Sequence, residues 1–120
     1  MSEKKYMFNI ILNLLYQIID NKEKLKPYND DLKLNPNTEE AYKNRGNAYC
    51  EIGQYEKAIS DYNKVIELNP NSYKAYNNRG KAYIHLKQYK RAILDFNKAL
   101  KLNPDFDFAY NNRGFAYCNL

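Results

Sequence analysis

The residues able to do chemistry are few and scattered. His85 is the one imidazole of the chain, and Cys50 and Cys118 are its two thiols. A nucleophilic dyad needs a base beside the thiol, and a closed zinc site needs four Cys or His ligands. One histidine and two cysteines, with neither cysteine near a second imidazole, supply neither arrangement. The sequence holds no glycine-rich phosphate loop, no Gly-x-Ser-x-Gly elbow and no His-Glu-x-x-His pair. Glu39 and Glu40 are adjacent carboxylates, but they open a predicted helix, where negative charge complements the macrodipole. No enzyme, cofactor or metal is expected, and the question becomes one of binding surface.

Charge narrows the partner. Nineteen Lys and Arg against 14 Asp and Glu give a net charge of +5. That excess is small and is spread over the whole chain, which argues against a phosphate-tracking surface for nucleic acid. Two cysteines build no disulfide framework, so a reduced compartment and a cytoplasmic location are expected. At the N-terminus, Lys4 and Lys5 precede an apolar stretch from Tyr6 to Ile19, in the manner of a signal peptide. However, Asn9, Asn13 and Gln17 interrupt it every fourth residue, so no apolar run exceeds three. A secretory core needs about 7–15 apolar residues and a membrane span about 20. The stretch reads instead as a packing helix with an amide stripe and a wide apolar face.

The elements that must position any binding residues are repeated. Tyr42, Tyr76 and Tyr110 recur at 34-residue intervals, as do Gly46, Gly80 and Gly114, and Tyr49, Tyr83 and Tyr117. Laying 39–72 over 73–106 gives 17 identities in 34 positions without a gap. A sustained period in this range indicates a solenoid whose units bury their apolar faces on one another. Within a unit, Ala41, Tyr42, Arg45, Ala48, Tyr49 and Ile52 follow helical spacing, Gly53-Gln54 punctuates, and Tyr55, Ala58, Ile59, Tyr62, Val65 and Ile66 follow it again. Helices are predicted near 3–25, 39–52, 55–68, 73–86, 89–102 and 107–120. The Asn-Pro pairs at 35–36, 69–70 and 103–104 separate the units. Gly46 with Ala58, and Gly80 with Ala92, should let paired helices approach closely. Lys87 stands where the first unit has Gly53, a left-handed position that costs a side-chain-bearing residue about 1 kcal/mol. Cys50 and Cys118 lie at equivalent positions two units apart, too far to bridge.

These residues resemble the tetratricopeptide repeat family. Its pattern of aromatic, Gly, Tyr, Ala, aromatic and Pro is met by Tyr42, Gly46, Tyr49, Ala58, Tyr62 and Pro70, and again by Tyr76, Gly80, Tyr83, Ala92, Phe96 and Pro104. A third unit matches through Tyr110, Gly114 and Tyr117. The resemblance implies an all-α fold, an α-α solenoid of helix-turn-helix repeats. The organisation expected is an N-terminal helix with a degenerate repeat or cap over 1–37, repeats over 38–72 and 73–106, and the first helix of a third unit or a cap over 107–120. Upstream, Leu12 and Lys24 occupy the Gly and Ala positions and Pro27 falls inside the second helix, so the continuation is expected to be broken there.

In the family, first helices line a concave groove. Carried over residue by residue, that groove comprises Glu40, Lys43, Asn44, Asn47, Cys50 and Glu51 from the first unit. Lys74, Asn77, Asn78, Lys81, Ile84 and His85 follow from the second, and Phe108, Asn111, Asn112, Phe115, Cys118 and Asn119 from the third. Asn both donates and accepts, so it can bond the backbone of an extended peptide whatever its sequence, and Lys43, Lys74 and Lys81 favour carboxylates. The resemblance thus implies a non-catalytic scaffold binding an extended, acidic peptide or one ending in a carboxylate. Members that bind the acidic tails of heat-shock chaperones use a carboxylate clamp. Lys43, Asn47 and Asn78 match three of its five residues, whereas Phe108 and Asn112 stand where its third-unit Lys and Arg belong. A co-chaperone fragment is therefore one alternative. A structural module that self-associates through exposed ends is the other. The apolar Phe-Ala-Tyr-Cys-Asn-Leu finish favours a fragment of a longer array or pairing through the C-terminal end.

Overall fold

The computed structural model describes residues 2–120 and contains six helices and, among the described residues, no strand. They are α1 (Glu3–Leu34), α2 (Glu39–Glu51), α3 (Tyr55–Leu68), α4 (Tyr73–His85), α5 (Tyr89–Leu102) and α6 (Asp107–Cys118). Each packs on its neighbour in sequence, and α2 meets α4 as α4 meets α6. The first helices of successive units therefore form one layer and the second helices another. The thickness of 18 Å, in a body 57 Å long, is that of two helices of about 10 Å each.

Local chemistry sets the boundaries. The side chains of Asn35, Asn69 and Asn103 each accept from the backbone N–H two residues on, turning the chain before the next helix. Ser72 caps α4 by accepting from the N–H of Ala75. Between paired helices the turn has positive φ, 78° at Gly53 and 58° at Lys87. Both turns close in the same way, by Gln54 N–H to the Tyr49 carbonyl and by Gln88 N–H to the Tyr83 carbonyl. Lys87 holds the left-handed conformation within those bonds, its own N–H donating to the Ile84 carbonyl at 2.8 Å.

The core is built from small residues on first helices and rings on second helices. Tyr62 and Phe96 are almost wholly buried, and Ala58, Ala92 and Val65 are fully so. A Cβ at Gly46 would lie 2.8 Å from the Tyr62 ring, and one at Gly80 would lie 2.6 Å from Phe96. Only glycine permits these crossings.

The N-terminal segment departs from expectation. A break was expected at Pro27, but α1 is one continuous helix through that residue. Pro27 removes one backbone bond and crowds the carbonyl four residues back. The segment beyond it is held by tertiary contacts that offset this cost: Leu32 is buried against the array and Asn29 accepts from Arg45 at 3.1 Å. Nor is the apolar stretch packed. The large apolar side chains from Tyr6 to Ile19 are between 36% and 65% exposed. In the repeat register Leu12 and Tyr28 would meet where Gly46 meets Tyr62, a crossing with no room for a Cβ. The hairpin of an ordinary unit is thus sterically shut, and the helix runs straight past the array.

Candidate functional site

The layer of first helices bears two adjoining cavities. The larger, about 470 Å³, lies between α2 and α4 and is lined by Asn47, Cys50, Glu51, Tyr55, Tyr62, Asn78, Lys81, Ala82 and His85. The second, about 330 Å³, lies between α4 and α6 and is lined by Lys74, Asn77, Asn78, Lys81, Phe106, Phe108 and Asn112. Asn78 and Lys81 line both, so the two form one groove across three first helices.

Helical spacing explains the lining. Asn78, Lys81 and His85 are spaced three and four apart and share a face of α4, with the buried Ala82 at the inner edge of the groove. Polar atoms are fixed by bonds within the groove. The Tyr62 hydroxyl donates to Asn47 Oδ1 at 2.6 Å and lies 3.6 Å from Cys50 Sγ. Asn112 Nδ2 donates to Asn77 Oδ1 at 3.0 Å, joining α6 to α4. His85 stacks flat on Tyr55, with ring centroids 4.4 Å apart. Burial pushes the Cys50 thiol above its ordinary range, and burial likewise raises the Tyr62 hydroxyl. Both remain neutral near pH 7, so Cys50 is not an activated nucleophile. Lys74 and Lys81 are exposed and have no carboxylate partner among the described residues, leaving two ammonium groups directed at solvent over the groove.

The other residues named from sequence lie elsewhere. Asn44 lines a separate recess with Asp31, Leu34 and Thr38, where α1 meets α2. Lys43 is half-buried and bound to Glu40 at 3.0 Å. Asn111 and Phe115 are exposed on α6 and line neither cavity. Tyr55 belongs to the second helix of its unit, and so falls outside any reading confined to first helices. Tyr62 reads as core because its ring is core. The sequence signal for its second role is the replacement of Tyr62 by Phe96 one unit on, which keeps the ring and drops the hydroxyl.

Helix pairs stacked in a 34-residue register, with first helices forming one cavity-bearing face, define a helical-repeat solenoid. The chain belongs to the tetratricopeptide repeat family: models described as TPR repeat and tetratricopeptide repeat match residues 46–86 and 73–106. Solved structures agree. The first TPR of Spaghetti (RPAP3), bound to the HSP90 peptide SRMEEVD, is 25% identical with a TM-score of 0.77, the match covering 98% of this chain and 94% of that one. The Arabidopsis OM64 TPR domain is 29% identical with a TM-score of 0.78, covering 90% and 89%. The second TPR domain of human RPAP3, in complex with the HSP70 peptide SGPTIEEVD, is 25% identical with a TM-score of 0.76, covering 88% of each chain. Among curated proteins nothing matches. No helix among the described residues is long and apolar enough to cross a membrane.

Proposed function

We propose that this chain is a non-catalytic scaffold that binds an extended, acidic peptide in the groove across α2, α4 and α6. The observation that carries the reading is the juxtaposition of Asn47, Asn78 and Asn112 with the unpaired ammonium groups of Lys74 and Lys81. Amides in a row can bond successive backbone groups of a strand, and an unpaired ammonium favours a carboxylate through a charge-assisted bond. Solved relatives that hold SRMEEVD and SGPTIEEVD support the acidic preference. Phe108 and Asn112 place no cation in the third unit, and Glu40 holds Lys43. Affinity therefore rests on Lys74 and Lys81 rather than on a five-residue clamp.

Fluorescence anisotropy with labelled SRMEEVD, against the same peptide carrying Gln for Glu and Asn for Asp, tests this. The acidic peptide should bind more tightly, and rising salt should weaken it. Lys81→Glu should reduce its affinity about tenfold, roughly 1.4 kcal/mol. Equal binding to wild type and Lys81→Glu would move the site away from this groove.

A second reading, self-association, is favoured by α1. Its eleven large apolar side chains between Tyr6 and Ile19, each about half exposed, present an uncovered face. At roughly 100 Å² apiece, the half of them that one partner can cover amounts to about 500–600 Å² per copy, within reach of a small interface. A second copy of the chain could cover that face. Sedimentation equilibrium should then show dimer that disappears in Ile11→Lys/Leu15→Lys. A monomer at every concentration would leave the groove reading alone.

A further inference from the structure

The two cavities of the groove differ in charge. The one between α2 and α4 is lined by Lys81 together with Glu51, an acid of its own. The one between α4 and α6 is lined by Lys74 and Lys81 and by no acid; Asp107 opens α6 but does not line it. Neither lysine has a carboxylate partner among the described residues, so two positive charges face one space of about 330 Å³. Lys74 and Lys81 stand two turns apart, about 10.5 Å along the axis of α4, and both side chains can lean toward a group held midway between them.

Fixed donors occupy that midpoint. Asn77 lies between the lysines and is only 4% exposed. Its Oδ1 accepts from Asn112 Nδ2 at 3.0 Å, which orients the amide and leaves its own Nδ2 with no acceptor among the described residues. A polar group this deeply buried is ordinarily paired, and an unpaired N–H donor in a cationic cavity favours an anionic acceptor. Asn78 adds a second amide. The facing wall is the first turn of α6, which carries no side-chain cap, so the positive end of that helix lies at the same space.

The same wall is aromatic. Phe106 meets Tyr73 edge-on with centroids 5.0 Å apart, and Phe108 meets Phe106 edge-on at 5.6 Å. Phe108 is exposed, its ring open to a third aromatic. One carboxylate offsets half of the two positive charges. A phosphate monoester, at about −1.5 to −2 near pH 7, offsets nearly both and offers three oxygens to the ammonium and amide donors. Phosphoserine would leave Phe106 and Phe108 without a partner, whereas the ring of phosphotyrosine covers them and carries its phosphate to Lys74, Asn77 and Lys81. We propose, on the reading of the groove as a peptide site, that the α4/α6 cavity is a subsite for a phosphotyrosine side chain of the bound peptide.

The probe is N-acetyl-phosphotyrosine amide, titrated into the isotope-labelled full chain and followed by NMR. It should shift the side-chain amide signals of Asn77, Asn78 and Asn112 saturably, and N-acetyl-tyrosine amide should not. N-acetyl-phosphoserine amide, inorganic phosphate and adenosine monophosphate should bind about fivefold more weakly, the first two for want of a ring and the third because a ribose holds its base away from the phosphate. Lys74 and Phe108 line this cavity and not the other, and both are exposed, so their variants should keep native circular dichroism. Lys74→Gln should weaken phosphotyrosine amide about tenfold and Phe108→Ala about fivefold. Binding of SRMEEVD, measured alongside, separates the two readings. Phosphotyrosine amide bound in this pattern supports the subsite whether or not SRMEEVD binds, while SRMEEVD bound without it overturns the subsite and leaves the groove intact. Equal binding by phosphoserine amide, phosphate or adenosine monophosphate, or affinity unchanged in both variants, would likewise overturn it.

Discussion

Arg79→Ala is expected to cost about 3–5 kcal/mol of stability, because it strips a bidentate cation from a buried carboxylate. Asp95 is 5% exposed, and both of its oxygens accept from Arg79. Without the guanidinium that carboxylate keeps its burial and loses the charge-assisted bonds that offset it. Urea denaturation measures the loss. Arg113→Ala is the internal control: its guanidinium meets one amide and no acid, so the cost should stay near the 0–1 kcal/mol of a surface interaction. The pH dependence has a definite sign. Burial pushes the Asp95 carboxyl above its ordinary range even in the native protein, and Arg79 is what pulls it back. Its removal takes the folded-state value further above the unfolded one. A carboxyl raised in this way favours the fold below the unfolded value and loses that contribution as pH rises through the folded value. The deficit of Arg79→Ala should therefore be smaller at pH 4 than at pH 7. Equal deficits at both pH values would mean that Asp95 gains access to solvent in the variant.

Phe96→Ala should be comparably severe, at about 3–5 kcal/mol. The ring is fully buried among residues of α4, α5 and α6, and the glycine opposite it cannot move inward to fill the space. The same contact predicts opposite outcomes for one substitution at two equivalent sites. Gly80→Ala places a Cβ 2.6 Å from Phe96 Cε1, which has nowhere to go, and should destabilise by about 1–3 kcal/mol. Gly114→Ala meets nothing within 4 Å and should stabilise α6 by up to about 1 kcal/mol, since alanine is the better helix former. Thermal melts of the three variants suffice. A Gly80→Ala protein as stable as Gly114→Ala would mean that the crossing of α4 on α5 is looser than the contact implies.

The sequence by itself determined the period, the helix pairs and the close crossings, because each is a local or repeating constraint. Asn-Pro steps stop helices wherever they occur, helical spacing shows which side must be buried, and 17 identities between adjacent units leave one register. Gly46 and Gly80 were legible as close crossings because each is paired with a small residue, Ala58 or Ala92, on the next helix, whereas the structure shows that what each meets is the ring of Tyr62 or Phe96. The groove was legible only as a set of first-helix positions. Which of them share a cavity depends on how α2, α4 and α6 are inclined to one another. That geometry gathers Asn47, Asn78, Lys81 and His85, leaves Asn44 beside α1, and ties Lys43 to Glu40. The tertiary structure also decided the course of α1. Pro27 breaks helices by local rules, and those rules cannot register that Leu32 and Asn29 dock on the array beyond it. It decided, too, that the apolar half of α1 lies open, because burial is a property of the partner surface as much as of the helix. And it alone joined Arg45 to Asn29 and Asp61, residues 16 positions to either side of it, since a side-chain bond across helices is set by distance in space and not by order along the chain.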